Sequence, residues 1–464
     1  MPHSSFLIPF DLIILLELSA PFWANVDEGL RLYGETLQEG TYADSRANSY
    51  ADQSDLQKAI GIFAQDQHLP AILACRDLLS LKAIYSRSSK SAQALVSIAS
   101  EGDPGSDIHV YGDDAGEGRS YEDLLNREDV QSVIIALPIV VQPEYIRKAL
   151  EAGKDVLSEK PIAKDLVTAR ELLNWYHRFD AGESDGGKSR WSVAENFRFL
   201  DSFIYAGKRI GEMGRVLGFS VRMATFVKPG DRYFGRRQDP FLFINAVQPP
   251  CHYTSSWFRD SPKLLNRKQK ADDIYTCEPE TSWRKTPSYQ GGFLLDGGVH
   301  FTAGIRLLLA SASAGEGTYI ENLSAHTAQL QSHLPPADTV DATMKTNTGA
   351  TGSFSVSFGT TLPDDFEYRV ACERGSVTVR EGSVAVRREG REEAESREFP
   401  DEGEGVMQEV QAWAKGIVEG GKMELRRRQS PEEALADLEV LEAMLRSGEK
   451  GGEPVRLELQ DVRT

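Results

Sequence analysis

The sequence predicts an α/β fold, in which a doubly wound parallel sheet is followed by an α+β domain with a mainly antiparallel open sheet. From residue 59 to about 190, short apolar runs alternate with amphipathic stretches at helical spacing. Beyond residue 199, strand-like runs follow one another with turn residues between them. The length of 464 residues, with 40% hydrophobic and 26% charged residues, is typical of a globular chain of two or three domains.

In the first half, three apolar runs have the length and composition of buried strands, at residues 81–85, 133–137 and 155–157. The helices predicted between and after them span residues 89–99, 144–152 and 166–175. Parallel strands need crossover connections, which are usually helices, so this alternation predicts a sheet covered on both faces. A polar loop at 181–188 precedes one more predicted strand at 191–194.

In the second half, consecutive strands predict a mainly antiparallel sheet. They span residues 216–227, 342–345, 352–358, 368–372, 376–379 and 383–387. Two amphipathic helices follow at 405–418 and 431–446, the second with Ser430 as its N-cap and Pro431 at its first position. We therefore expect a first domain at 59–195 and a second domain, for substrate and oligomerisation, at 196–464.

Two segments do not fit this pattern. Residues 1–58 have no clear period and are interpreted as an extension outside the fold, either disordered or mispredicted. The apolar run 12–16 inside it is flanked by Asp11 and Glu17 and is too short to span a bilayer, so we predict a short helix there. Residues 235–279 have neither a helix nor a strand period and are interpreted as an irregular insertion.

Charge and cysteine content restrict the partners. The 52 Lys and Arg against 70 Asp and Glu give 52 − 70 = −18, which disfavours nucleic acid and anionic membranes and favours a small-molecule substrate. The four cysteines are widely spaced, which predicts a reducing, cytoplasmic location. Cys251, His252 and Cys277 offer too few donors at irregular spacing, so no metal site is predicted.

A first candidate motif lies at residues 59–64, Ala-Ile-Gly-Ile-Phe-Ala. A dinucleotide site needs a glycine-rich turn between a strand and a helix, where backbone N–H groups approach the pyrophosphate. Only the middle glycine, Gly61, matches the G-x-G-x-x-G/A pattern, and the preceding residues 55–58 are too polar for a central strand. A chance glycine before a helix remains the alternative.

A second motif, Glu159-Lys160-Pro161, follows the strand predicted at 155–157. It places an ammonium group at the carboxyl edge of the parallel sheet, where ligands of open α/β folds bind. The alternative is a surface lysine paired with Glu159.

A third motif, Gly-Gly-Phe-Leu-Leu-Asp-Gly-Gly-Val-His at 291–300, spaces Asp296 and His300 as i and i+4. On a helix the carboxylate can orient the imidazole. Such a base can take the hydroxyl proton of an alcohol while a hydride leaves for a nicotinamide. A purely structural Asp–His pair is the alternative.

Together with Ala136-Leu137-Pro138, the second and third motifs resemble those of the Gfo/Idh/MocA oxidoreductases, the family of glucose-fructose oxidoreductase and inositol dehydrogenase. The resemblance runs from about residue 61 to 196 and from 283 to 457. It implies a Rossmann-type first domain and an NAD(P)-dependent enzyme that transfers a hydride between nicotinamide and a sugar, polyol, cyclic diol or related alcohol or carbonyl compound. It also implies a homodimer or homotetramer.

The resemblance assigns roles to individual residues. Lys160, Asp296 and His300 are expected to meet over the nicotinamide, with His300 as acid/base, Asp296 as its orienting partner and Lys160 polarising the oxygen. The residues expected to bind cofactor are Gly61, Ile62, Phe63, Ala64, Ser86, Arg87, Lys90, Leu137, Pro138, Glu159, Lys160 and Asn196. Those expected near the substrate are Asn196, Arg198, Trp283 and Arg284. Gln142 stands where many relatives carry a histidine, and no role is assigned to it.

The end of the second predicted strand indicates the cofactor. An NAD site normally has a carboxylate there for the ribose 2′-hydroxyl, whereas Ser86, Arg87 and Lys90 offer donors and positive charge suited to a 2′-phosphate. NADP is therefore the preferred cofactor and NAD the alternative. Two other functions stay open: a non-enzymatic NAD(P)-sensing regulator of the same fold, and a catalytically impaired chain with an incomplete glycine-rich loop.

Overall fold

The computed structural model describes residues 63–180, 189–229, 289–312, 317–360, 365–418 and 427–461, together with the backbone of strand 12–18. The described strands form two sheets. The first sheet contains Leu12–Leu18 (β1), Leu79–Ser86 (β2), His109–Tyr111 (β3), Ser132–Ala136 (β4), Asp155–Glu159 (β5) and Trp191–Ala194 (β6). Their order across the sheet is β3-β2-β1-β4-β5-β6.

The first sheet has the predicted alternation with helices. The pairs β2/β3, β4/β5 and β5/β6 are parallel. A π-helical turn, Ala64–His68, leads into the first of the helices, which are Leu69–Ala74 (α1), Ser89–Gly102 (α2), Tyr121–Leu125 (α3), Gln142–Glu151 (α4) and Leu166–Asp180 (α5). The Rossmann-type first half predicted from sequence is thus confirmed, and its parallel strands end at one shared edge.

Strand β1 corrects the prediction of a helix at residues 12–16. Its backbone pairs antiparallel with both β2 and β4, so it lies in the centre of the sheet. A continuous apolar run is what a strand with neighbours on both sides requires, and short apolar runs do not distinguish helix from strand by periodicity. The remainder of the predicted extension 1–58, including residues 55–58, lies outside the described residues.

The second sheet contains nine described strands in the order β14-β13-β12-β11-β7-β10-β9-β8-β15. They are Val216–Ala224 (β7), Ile320–Ala328 (β8), Thr339–Thr346 (β9), Thr351–Ser357 (β10), Asp365–Cys372 (β11), Gly375–Arg380 (β12), Ser383–Arg388 (β13), Glu395–Glu398 (β14) and Val455–Arg456 (β15). Only β7/β10 is parallel among the pairings of these strands. The expected mainly antiparallel sheet is confirmed, although β8 was not among the predicted strands.

The described helices of the second half are Asp201–Gly211 (α6), Gly292–Ala310 (α7), Val406–Val418 (α8) and Pro431–Glu449 (α9). By length and composition α7 could cross a membrane, but 72% of its most apolar window is buried inside the protein, as in a core helix. It packs against α6 and α9. Helix α8 returns to the first domain, where Val410 and Trp413 share a core cluster with Leu157 and Ala194. The predicted insertion 235–279 lies outside the described residues.

Candidate active site

A lysine from the first sheet meets an aspartate from α7. Lys160 follows β5 directly, and its Nζ donates to the backbone oxygen of Asp296 at 3.0 Å and to the Asp296 Oδ1 at 3.2 Å. Each side chain is 14% exposed, so the pair is largely shielded from solvent. This contact joins the second and third sequence motifs, which are separated by 136 positions in the chain.

His300 lies one helical turn beyond Asp296 on α7, about 6 Å further along the helix axis. Its Nδ1 lies 2.7 Å from Oε1 of Glu195, a carboxyl group that is buried at the end of β6. Burial alone would raise the pKa of Glu195, but His300, Arg198 and Lys160 outweigh it and hold that pKa below its usual value. The Glu195 carboxylate therefore accepts a hydrogen bond from the Nδ1–H group, which leaves Nε2 as the ring nitrogen that can accept a proton.

The ring of Phe197 also fixes the imidazole. The two rings are stacked, with centroids 4.9 Å apart and planes 19° from parallel. Phe197 lies in the 3₁₀ turn Asn196–Phe199, and its backbone N–H donates to Glu195 Oε1 at 3.3 Å. The same short segment thus supplies both the hydrogen-bond acceptor and the stacking surface for His300.

Glu195, and not Asp296 as expected from sequence, is the residue that orients the imidazole of His300. The Asp296 carboxylate bonds Lys160, whereas Glu195 bonds the imidazole Nδ1. Sequence reasoning gave Glu195 no role because it lies 105 positions from His300. The signal available was its place at the end of a strand predicted to neighbour β5, since parallel strands end at one edge.

Two glycines of the third motif are required where α7 begins. Gly291 has φ of 77°, a left-handed conformation that favours glycine, and a Cβ there would lie 2.7 Å from Leu445 and 2.8 Å from Leu295. A Cβ on Gly297 would lie 2.7 Å from the Phe358 ring. The motif therefore lets the first turns of α7 approach the core closely enough to present Asp296 and His300.

Arg198 and Asn196, expected near the substrate, make structural contacts. Arg198 is 2% exposed, and its two terminal nitrogens each donate to one oxygen of Asp437 at 2.7 Å. Arg306 donates to the same carboxylate at 2.6 Å. Asn196 donates to the backbone oxygen of Glu404 at 2.6 Å. These buried contacts hold the 3₁₀ turn against α7 and α9. The substrate role expected for Arg198 is therefore wrong, because its guanidinium bonds Asp437. The amide N–H group of Asn196 donates to the backbone oxygen of Glu404.

Glu159 and His68 form a second buried carboxylate–imidazole pair. His68 Nε2 lies 2.7 Å from Glu159 Oε1, and the Lys160 backbone N–H donates to Glu159 Oε2 at 3.2 Å. His68 has no exposed surface and closes the π-helical turn that begins at Ala64. Glu159 was expected to bind cofactor. In the structure its carboxylate connects the turn that carries Lys160 to His68, at the start of the first helix.

The remaining predicted cofactor residues that the structure describes lie at or beside the carboxyl ends of the first-sheet strands. Ser86 ends β2, with Arg87 and Lys90 next to it, and Leu137 and Pro138 follow β4. Phe63 and Ala64 lie at the start of the π-helical turn. Gly61, Ile62, Trp283 and Arg284 lie outside the described residues, as do Cys251, His252 and Cys277.

The donors and acceptors at this edge fit a nicotinamide dinucleotide. The buried Oε1 of Gln142, in the first turn of the helix after β4, has no hydrogen-bond partner in the described part of the chain and could accept from an amide. Gly112 permits the loop after β3 to approach the end of β2, since a Cβ there would lie 2.7 Å from the Ser86 oxygen. When bound, nicotinamide would supply the hydride acceptor or donor that the side chains lack.

Comparisons with known proteins identify the family. One model, described as an oxidoreductase family with an NAD-binding Rossmann fold, matches residues 59–178, and its partner, the C-terminal alpha/beta domain, matches residues 266–457. The chain belongs to the Gfo/Idh/MocA oxidoreductase family. It is an oxidoreductase of this family with an NAD-binding Rossmann fold.

Among its relatives is a dehydrogenase of Fusarium mangiferae named FPY6, 35% identical over 83% of this chain and 94% of that protein. An uncharacterised protein of Saccharomyces cerevisiae is 26% identical over 86% and 96% of the two chains. The fold resembles that of an oxidoreductase from Thermotoga maritima, with a TM-score of 0.62 and 23% identity over 86% of this chain and 96% of that one.

Replacing Glu195 with Gln tests the His300–Glu195 contact. The amide keeps the size but removes the negative charge that stabilises an imidazolium, so protonation of His300 becomes less favourable and the pH profile of kcat should change. Turnover should fall about 10²-fold, since the correct tautomer is no longer enforced. The pH profile of kcat measures both the loss of turnover and its dependence on pH. The affinity for cofactor serves as the control. An unchanged profile, or a loss of cofactor binding equal to the loss of turnover, would contradict this role.

Proposed function

We propose that this protein transfers a hydride reversibly between nicotinamide and a sugar, polyol, cyclic diol or related alcohol or carbonyl compound. One observation carries the proposal: the ammonium group of Lys160 bonds Asp296, which lies one helical turn before His300, the histidine that pairs with Glu195. An ammonium donor and an oriented imidazole base are the two groups that alcohol oxidation requires besides the hydride acceptor.

The described contacts define what each side chain does in this reaction. His300 Nε2 takes the hydroxyl proton, and the Glu195 carboxylate stabilises the imidazolium that forms. Lys160 donates to the substrate oxygen, and Asp296 holds the ammonium group in place. In the reductive direction the imidazolium returns its proton to the oxygen.

The names of structural neighbours support the substrate class. A levoglucosan dehydrogenase has a TM-score of 0.59 at 17% identity, over 86% of this chain and 98% of that one. A putative myo-inositol dehydrogenase of Sinorhizobium meliloti has a TM-score of 0.57 at 17% identity, with the same coverage. Both names denote enzymes that oxidise hydroxyl groups of ring compounds.

A substrate panel tests the proposal. Polyols, aldoses and cyclic diols are offered with NADP and with NAD, and reduction is followed at the absorbance of the reduced nicotinamide. We expect at least one ring polyol or sugar to be oxidised. Cofactor binding without turnover across the panel would favour the sensing regulator, and no cofactor binding would indicate the catalytically impaired chain.

We propose NADP as the preferred cofactor because Arg87 and Lys90 flank the end of β2. The carboxylate of Asp114 lies at the same end of β2. It accepts a hydrogen bond of 2.5 Å from the backbone N–H of Ser89, the first residue of α2. The positive charges of Arg87 and Lys90 would attract a 2′-phosphate, whereas the negative charge of Asp114 would repel it.

Arg87→Ala is expected to weaken NADP about tenfold and NAD little, since only NADP carries the phosphate. Asp114→Asn is expected to tighten NADP severalfold. Dissociation constants from titration calorimetry measure both, with Arg76→Ala, which replaces an exposed arginine after α1, as the control. Equal weakening of NAD and NADP in Arg87→Ala would refute the NADP preference.

We propose a homodimer or homotetramer, in the cytoplasm, with a small molecule as the substrate and no nucleic-acid or membrane partner. Exposed Leu217 on β7 supports assembly through the nine-stranded sheet, and the buried free thiols of Cys75 and Cys372 suit a reducing compartment. Light scattering of the purified protein tests the oligomeric state, and a fluorescent fusion in cells tests the cytoplasmic location. A monomer in solution would refute the first.

A further inference from the structure

His68 is a fully buried histidine that the reaction described above does not use. It is the last residue of the π-helical turn Ala64–His68, which begins at the end of the candidate cofactor motif at residues 59–64. A π-helical turn is uncommon and frequently marks a functional site. The imidazole extends from this turn to Glu159, the last residue of β5, and so joins the start of the first helix to the edge of the sheet that carries Lys160.

The carboxylate of Glu159 anchors the imidazole. Nε2 of His68 lies 2.7 Å from Oε1 of Glu159, and Nε2 is the donor because a carboxylate oxygen only accepts. The other ring nitrogen, Nδ1, is buried and has no hydrogen-bond partner in the described part of the chain. The ring of Phe63 meets the imidazole edge-on, with centroids 5.2 Å apart. The described polar contact of this side chain is therefore the one with Glu159.

The second oxygen of Glu159 continues the connection to Lys160. Oε2 accepts the backbone N–H of Lys160 at 3.2 Å, at the point where the chain leaves β5. The side chain of Lys160 then bonds Asp296 on α7. Both oxygens of Glu159 are thus engaged, one by His68 and one by Lys160, and the Glu159 side chain is 12% exposed, so water has little access to compete for them.

We propose that His68 is a positioning residue for Lys160. Through Glu159 it holds the backbone from which the ammonium group reaches Asp296, and it couples that group to the turn at the start of the first helix. A reactive side chain keeps its geometry only when hydrogen bonds of this kind support it. The inference rests on the proposed function for its kinetic consequence, but the placement of Lys160 against Asp296 can be measured without turnover.

Two substitutions separate the hydrogen bond from the bulk of the imidazole. His68→Gln keeps an N–H donor near the position of Nε2, whereas His68→Leu keeps the bulk and removes the donor. Ile72→Ala is the matched control, because it removes buried apolar volume from α1 without removing a hydrogen bond. The full-length, cofactor-free protein is treated briefly with an amine-acetylating reagent, and mass spectrometry gives the acetylation rates of Lys160 and of Lys164 in the same molecule.

In wild type, Lys160 should react more slowly than Lys164, because its side chain is 14% exposed and bonds Asp296, whereas that of Lys164 is 43% exposed. We expect His68→Leu to raise the rate of Lys160 relative to Lys164 severalfold. His68→Gln and Ile72→Ala should leave this ratio as it is in wild type. An unchanged ratio in His68→Leu, or an equal rise in Ile72→Ala, would overturn the proposal.

The kinetic test uses the best substrate of the panel. His68→Leu should lower kcat about tenfold, because a small displacement of a group that contacts the substrate is costly, and His68→Gln should restore most of the loss. In a Lys160→Ala background His68→Leu should cause little further loss, since the effects of residues that act through one another do not add. Equal losses in the two backgrounds would overturn the proposal. A raised acetylation ratio in a protein that oxidises no panel substrate would leave this inference intact and refute only the proposed function.

If His68→Leu does not fold, His68→Asn takes its place in both tests. The shorter side chain puts its amide near the position of Nδ1, out of reach of the Glu159 carboxylate, and keeps a polar group in the turn. The same rise in Lys160 acetylation is expected. A ratio equal to that of wild type would show that the contact between His68 and Glu159 does not position Lys160.

Discussion

His300→Ala is expected to lower turnover by about 10²-fold or more while leaving cofactor affinity nearly unchanged. In the proposed reaction the imidazole takes the hydroxyl proton, and its orientation depends on both Glu195 at 2.7 Å and the stacked ring of Phe197. Removing the imidazole leaves Lys160 to polarise the oxygen but no side chain to accept the proton. Steady-state kinetics with the best panel substrate give kcat, and titration calorimetry gives cofactor affinity.

His177→Ala is the matched control for this prediction. His177 also pairs with a glutamate, its Nε2 lying 2.7 Å from Glu432 Oε1, but the imidazole is half exposed on α5. Its loss should change turnover by less than about twofold, because exposed pairs contribute little. Retention of full turnover in His300→Ala would assign the base to another residue.

Asp437→Asn is expected to destabilise the protein by about 3–5 kcal/mol, since it removes the buried negative charge that both arginines bond and leaves them only Glu433, 3.6 Å from Arg198 and 2.9 Å from Arg306. Both oxygens of Asp437 are bonded by Arg198, and Oδ1 also by Arg306. All three side chains are at most 8% exposed. The melting temperature, measured by scanning fluorimetry, should fall by roughly 5 °C.

The surface pair Arg222–Asp365 provides the control for Asp437. Its side chains are 60% and 40% exposed, so Asp365→Asn should cost less than about 1 kcal/mol. Because Arg198 lies three positions after Glu195 and Arg306 lies on the helix of His300, Asp437→Asn should also lower kcat. An unchanged melting temperature would show that the cluster contributes no net stability.

The residues nearest the chemistry were predictable in part. Lys160, Asp296 and His300 stood out because each lies in a short motif, and the structure brings Lys160 to Asp296 and puts His300 one turn away. Arg198 was misassigned, because a cation next to a site motif looks the same in sequence whether it meets substrate or a buried carboxylate. Its partner Asp437 lies 239 positions away.

The fold followed closely from hydrophobic periodicity, with clear exceptions. Strand β6 has the predicted limits, Trp191–Ala194, and α9 begins at Pro431 as its cap indicated. The run at Leu12–Leu18 was misread because its length and apolarity suit a helix and a strand equally, and only pairing with β2 and β4 decides between them.

By itself, the amino-acid sequence determined most of the order of strands and helices, the family and the motifs that contain Lys160, Asp296 and His300, since these depend on local periodicity and short motifs. Only the tertiary structure decided which groups meet: Glu195 with His300, Asp296 with Lys160, and Asp437 with two arginines. The physical reason is that a hydrogen bond is specified by distance and angle in space. Residues more than 100 positions apart acquire such geometry only when packing brings their helices and strands together.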